Sequence, residues 1–222
     1  MKRIPDALLA RMARGLTDDD RDEMAIPSYL HPNPLMRWMA WRRVEVVAKR
    51  LEKLGESKHG EATVVDFGCG TGVLFEEALR WAHRLIGVDV VLDSARLLAA
   101  EHDLDVDLKT PEQAREEIAP GTVDVIIAAE VLEHVDPLGE SLELFKAWLA
   151  PDGVLLVSLP TENLLYRMGR RMAGFEGHYH HDDARSIDSS IRDAGFSRRS
   201  RSYIPLPGPL AIYWVAEYVL PA

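Results

Sequence analysis

Val64-Val65-Asp66-Phe67-Gly68-Cys69-Gly70-Thr71-Gly72 is the stretch on which the reading of this 222-residue chain turns. A β-branched run ends in it and a helix-forming segment follows, so its glycines fall in a strand-to-helix turn. Glycine there permits a tight turn and lets ligand atoms lie close to the backbone. The spacing is G-x-G-x-G, narrower than the G-x-G-x-x-G of a turn that aims a helix amino terminus at a pyrophosphate. Asp66 precedes the glycines, and a carboxylate suits a cationic ligand better than a phosphate. About twenty residues after the first glycine a second apolar run ends in Gly87-Val88-Asp89, where a carboxylate can accept both hydroxyls of a ribose.

Outward from this turn, short apolar runs alternate with amphipathic segments, the pattern of a parallel sheet covered by helices. Strands are expected at 62–67, 84–89, 104–108, 122–128 and 153–159. Thr110, Pro111 and Gln113 supply a cap, an N1 proline and a capping-box partner for the helix after the third strand. Ala150-Pro151-Asp152-Gly153 stops the next helix. After an insertion at about 160–181 come a helix over 182–194 and a terminal antiparallel hairpin, 196–204 and 211–220, joined by the turn Pro205 to Pro209. Before the first strand the chain reads as helix, acidic linker Thr17 to Glu23, turn-rich run and second helix. Asn33 caps that second helix, Pro34 opens it, and Gly55 is expected to close it in a left-handed conformation. The expected organisation is an N-terminal helical cap, 1–60, and one α/β domain, 61–222.

Composition narrows the function classes. With 47% apolar residues, the chain can bury one substantial core, and its formal charge of −10 speaks against a nucleic-acid backbone as partner. One cysteine allows no internal disulfide and fits a reducing, cytoplasmic setting. No apolar run approaches the length of a bilayer span.

The turn, its spacing and the acid after the second strand resemble class I S-adenosylmethionine-dependent methyltransferases, and the resemblance extends from Ala62 to Phe196. It implies a doubly wound, Rossmann-like sheet of seven mostly parallel strands with helices on both faces and a terminal antiparallel hairpin. It implies S-adenosylmethionine as cofactor, with Asp66, Gly68, Cys69, Gly70 and Gly72 forming the cofactor loop, Asp89 on the ribose and Val90 beside it. That family often has an aspartate after the third strand for the adenine amino group; here the place reads Thr110-Pro111-Glu112-Gln113, leaving Glu112 or Gln113 to substitute. Within the family the chain is similar to the ubiquinone-biosynthesis type of O-methyltransferase. His31-Pro32-Asn33-Pro34-Leu35-Met36-Arg37 resembles that group's segment carrying an arginine for the cofactor carboxylate. Arg37 is the candidate, with Arg42 and Arg43 as alternatives, and Ala129 is expected to line the cofactor with its backbone, next to Glu130.

The fourth strand runs into Ala129-Glu130-Val131-Leu132-Glu133-His134, beyond the carboxyl end of the sheet, where such folds place ligands. Glu130, Glu133 and His134 are candidate ligands of a divalent cation, and oxygen-rich ligation with one nitrogen favours magnesium or manganese over structural zinc. Methyltransferases that use a metal in this pattern complete it with a later histidine, a place His178 resembles; in metal-free relatives the same string shapes the pocket. His134 or His178 is the candidate base, direct or through a metal. The expected reaction is methylation of a small-molecule hydroxyl. Nitrogen or carbon methylation, and a non-catalytic cofactor-binding module, are the alternatives. The segment 162–175 carries Arg167, Arg170 and Arg171 among large apolar residues, and reads as a lid, a peripheral membrane contact or a packed helix.

Overall fold

The computed structural model describes residues 1–17, 25–56, 61–161 and 184–221. The acidic stretch 18–23, the whole of the segment 162–175 and the histidine run with His178 lie outside them. Two compact units divide the chain, Met1–Glu117 and Ile118–Ala222.

The first unit holds α1 (Asp6–Ala13), α2 (Ile26–Tyr29), α3 (Pro34–Glu56), β1 (Ala62–Phe67), α4 (Phe75–Ala78), β2 (Ala82–Val88), α5 (Asp93–Glu101), β3 (Asp107–Lys109) and α6 (Pro111–Glu117). The helices before β1 thus belong to the same compact unit as the first three strands. Asn33 caps α3 as expected: its Oδ1 accepts the Leu35 N–H at 2.9 Å and its carbonyl accepts that of Arg37 at 3.1 Å. Trp41, Val44, Val47, Ala48 and Leu51 lie in the buried stripe of α3, with the Tyr29 ring tilted against Trp41 at 4.7 Å between ring centroids. Gly55 departs from expectation, because it lies inside the helix rather than closing it. Close approach explains the glycine: a Cβ there would stand 2.2 Å from Cβ of Trp81. Strands β1, β2 and β3 pair in parallel, with Val65 beside Ile86 and Ile86 beside Asp107.

The second unit holds β4 (Val123–Ala129), α7 (Leu138–Trp148), β5 (Leu149–Pro160), α8 (Ala184–Asp193), β6 (Ser197–Pro205) and β7 (Ala211–Val219). β4 and β5 are parallel, whereas β7 runs antiparallel to both β5 and β6. β5 starts four residues before the expected bound, yet the stop signal is not lost: the register jumps from Val123 opposite Leu149 to Val125 opposite Val154, so Ala150 to Gly153 fall in the irregularity. Ile126, Ile127, Leu155, Leu156, Phe145, Ile187 and Val215 are its fully buried core. Behind β7, Tyr218 donates to Asp188 Oδ1 at 2.7 Å while Arg198 grips both oxygens of the same carboxylate at 2.7 and 2.8 Å. The seven strands follow the order β3-β2-β1-β4-β5-β7-β6, mostly parallel with an antiparallel hairpin at the end.

Candidate functional site

In the first unit the turn after β1 is built by backbone geometry. Gly68, Gly70 and Gly72 have φ of 74°, 50° and 75°, values that disfavour any residue with a Cβ. The N–H groups of Gly68 and Cys69 both donate to the Val88 carbonyl, at 2.8 and 3.1 Å, binding the turn to the end of β2. Asp89 completes the link. Its Oδ2 accepts the Gly70 N–H at 2.7 Å and its Oδ1 the Val91 N–H at 3.2 Å. Each oxygen retains a second lone pair, so the carboxylate can brace the turn and still accept hydroxyls. Val90, the next residue, is 75% exposed at the strand's end.

Asp66 lies beneath this turn and is buried. Burial, and then the charge of Asp89, push its carboxyl up to about 7. The buried Asp66 and the half-buried Asp89, at the ends of neighbouring strands, leave a negative potential that a cationic group would relieve. Cys69 is buried as well, and burial with the charges of Asp66 and Asp89 raises its thiol far above the ordinary range, consistent with a small filler of the turn.

The expected capping box is present after β3. Gln113 Oε1 accepts the Thr110 N–H at 2.9 Å, and Thr110 Oγ1 accepts the Gln113 N–H at 3.4 Å. The acceptor oxygen of Gln113 thus gives one lone pair to the helix end. Glu112 is exposed, and its carboxyl is lowered by its own backbone N–H and the Thr110 hydroxyl. Of the three candidate arginines, Arg37 pairs with Asp6 of α1 at 3.0 Å and Arg42 with Glu45 at 3.6 Å. Arg43 is buried, its guanidinium over the Tyr29 ring at 5.8 Å.

In the second unit, β4 ends at Ala129 and the chain turns sharply at Glu130, a non-glycine residue with φ of 58°. Strain of this kind, about 1–3 kcal/mol, persists only where surroundings enforce it. Ser158 enforces it from β5. Its carbonyl accepts the Glu130 N–H at 2.9 Å and its hydroxyl donates to Glu130 Oε1 at 3.2 Å. Local sequence motifs do not single out Ser158; the signal is the strand register, which sets it opposite Ala129.

Leu132–His134 forms a 3-10 turn that buries Leu132 and Glu133 and leaves His134 exposed. Among the described residues no three His, Cys, Asp or Glu side chains gather as metal ligands, so Glu130, Glu133 and His134 do not converge. The physical reason is the turn itself, which sends Glu133 inward and His134 outward. Expected magnesium ligation by these residues finds no support, and its fourth member, His178, is outside the described residues.

A family model described as a methyltransferase domain matches residues 38–200, and the chain belongs to that family. The class so defined is that of class I S-adenosylmethionine methyltransferases. Among curated relatives, a ubiquinone biosynthesis O-methyltransferase of Bradyrhizobium diazoefficiens is 33% identical over 65% of this chain and 57% of its own length. The chain thus spans little more than half of that relative. Among solved structures, magnesium protoporphyrin IX methyltransferase from Synechocystis PCC 6803, with bound S-adenosylhomocysteine, has a TM-score of 0.66 at 17% identity. That match covers 91% of this chain and 94% of the other. An N-methyltransferase from Bradyrhizobium japonicum WM9, in complex with S-adenosylhomocysteine, has a TM-score of 0.63 at 18% identity, covering 97% and 99%. These likenesses establish the fold.

Proposed function

We propose that the chain transfers the methyl group of S-adenosylmethionine to a hydroxyl of a small molecule. The observation that carries the reading is the glycine turn of the first unit, braced by Asp89 over the buried Asp66. Its residues fit a sulfonium nucleoside. Asp66 would hold the α-ammonium, the backbone of Gly68, Cys69, Gly70 and Gly72 the aminoacyl chain, Asp89 the ribose hydroxyls, and Val90 one adenine face. Glu112 or Gln113 would accept from the adenine amino group, each with an acceptor lone pair beyond its bonds at the helix end. Arg37 would meet the carboxylate by exchanging its exposed partner Asp6; Ala129 and Glu130 remain candidates for cofactor contact by family resemblance. Support for a hydroxyl acceptor comes from the ubiquinone biosynthesis O-methyltransferase relative.

The sulfonium, when bound, supplies an activated methyl, so the protein's tasks are alignment, exclusion of water and removal of one proton. The acceptor oxygen forms a bond to the methyl carbon as the carbon–sulfur bond breaks, and the hydroxyl proton passes to a base. His134, exposed at the end of its 3-10 turn, or His178 would be that base. A screen of hydroxylated metabolites, read by release of S-adenosylhomocysteine, tests the function. His134→Ala is expected to lower kcat by about 100-fold with cofactor affinity retained. Unchanged turnover in both His134→Ala and His178→Ala would remove histidine as the base, and no release with any acceptor would remove the function.

A further inference from the structure

Contacts within the first unit fix the direction in which α3 runs past the strands. Gly55, near its carboxyl end, lies against Trp81, the residue before β2, and so at the amino edge of β1 and β2. Further back along the helix, Glu45 pairs with Arg3 at 2.8 Å, while Lys2, the neighbour of Arg3, pairs with Glu76 of α4 at 3.5 Å. Followed backwards, α3 therefore climbs from Trp81 past α4 towards the glycine turn. At 1.5 Å per residue Arg37 stands about 27 Å from Gly55, against about 20 Å for the length of β1, which carries it to the carboxyl edge where the turn lies.

At that end Arg37 is held by Asp6. Its Nη1 donates to Asp6 Oδ2 at 3.0 Å, one bond to one oxygen, and the two side chains are 37% and 65% exposed. Among the described residues each is the other's sole charged partner. Asp6 itself is anchored, because α1 buries Leu8, Leu9 and Met12, Arg11 pairs with Glu101 of α5, and Arg3 lies over Trp41 of α3 at 5.4 Å. A fixed carboxylate thus stands at the guanidinium to which the proposed function gives the carboxylate of the cofactor. A single exposed pair contributes little, whereas a free carboxylate can take two parallel N–H groups of a guanidinium. Exchange favours the ligand, at a cost set by Asp6.

We propose that Asp6 stands in for the ligand's carboxylate: it occupies Arg37 in the ligand-free chain, competes there with S-adenosylmethionine and S-adenosylhomocysteine, and loosens both. This deepens the methyl-transfer reading and rests on it for the place of the nucleoside. Substrate and product share the carboxylate, so the competition is uniform. It raises the cofactor concentration needed for saturation and hastens departure of the product. Asp6 is a positioning residue, acting through Arg37 and touching no reacting atom.

Calorimetric titration of the full chain with S-adenosylhomocysteine, and with methylthioadenosine, which has no carboxylate, tests the proposal. At low ionic strength Asp6→Asn is expected to bind S-adenosylhomocysteine about two- to fivefold more tightly than wild type, with methylthioadenosine unchanged. The gain should recur in Asp6→Ser, be absent in Asp6→Glu, which keeps the charge, and shrink in about 0.5 M salt. Arg37→Gln should weaken S-adenosylhomocysteine by at least about tenfold and spare methylthioadenosine, and Asp6→Asn/Arg37→Gln should show no gain over Arg37→Gln. S-adenosylhomocysteine affinity unchanged or lowered in Asp6→Asn, or raised equally for methylthioadenosine, overturns the proposal and leaves Asp6 as a first-turn acid that serves the dipole of α1. Wild-type affinity in Arg37→Gln also overturns it, while the nucleoside keeps its place at the turn. Binding of neither nucleoside by folded wild type defeats the methyl-transfer reading and this proposal with it.

Discussion

Asp66 faces opposite demands from folding and from a cationic ligand. Its folded carboxyl is raised to about 7 from an ordinary value of 3.8, so the folded state holds a proton that the unfolded chain releases. Its contribution to stability is therefore greatest below pH about 4 and is lost as pH rises towards and through 7. Binding of an ammonium has the reverse sign, because only the ionised carboxylate pairs with it. Affinity for the sulfonium nucleoside is expected to fall by up to about tenfold per pH unit below 7. In Asp66→Asn both slopes should flatten, which parallel denaturation and binding series from pH 5 to 8 will read. Ser158 acts one step removed, through Glu130. Ser158→Ala removes a hydrogen bond to a charged group, about 1.5–3 kcal/mol, and is expected to lower kcat by about tenfold while KM for the cofactor changes less than about twofold. Restoration by Ser158→Thr would distinguish positioning from a packing defect; a KM effect alone would contradict it.

At the scale of elements, Gly55 shows how a correct residue can carry a wrong reason. Near a helix end, glycine reads as a left-handed cap, because nothing local reports the Trp81 side chain that α3 must approach. Gly55→Ala should destabilise by about 1–3 kcal/mol or more through overpacking, measurable as a fall in the urea midpoint, whereas an exposed cap would tolerate alanine for less. Strand bounds divide by the same logic. β1 falls at 62–67 as read, since Val64 and Val65 are buried between two neighbours and the apolar run has abrupt ends. β3 occupies only Asp107–Lys109, against an expected 104–108. It lies at the edge of the sheet, where one partner alone decides how many residues pair. The cofactor turn and its capping box were legible because backbone conformation and hydrogen bonding there depend on residues within a few positions. Whether Glu130 and Glu133 meet His134 was not legible, because spacing in sequence does not say whether a turn gathers side chains or parts them, and Ser158 was invisible because its partner is 28 residues away.

For the molecule as a whole, a ligand that binds only the folded state raises stability by an amount set by its concentration and dissociation constant. The folded chain keeps Asp66 buried and Asp89 half-buried at the ends of β1 and β2 with both carboxyls shifted upward, by burial first and, for Asp66, by the charge of Asp89 as well, so part of its folding free energy is held against burying these charges. On the proposed reading S-adenosylhomocysteine would bring an ammonium to that edge; methylthioadenosine has the same nucleoside but lacks the amino acid. At one hundred times its dissociation constant, each ligand should add about 2.7 kcal/mol, a rise in Tm of about 5–10 °C for a chain of this size. At equal concentration S-adenosylhomocysteine should exceed methylthioadenosine, and the excess should shrink in Asp66→Asn. Thermal unfolding at pH 7.5 with each ligand reads this directly. Equal shifts for the two ligands in wild type would place the ammonium away from Asp66, and shifts absent for both would remove the nucleoside from the turn altogether.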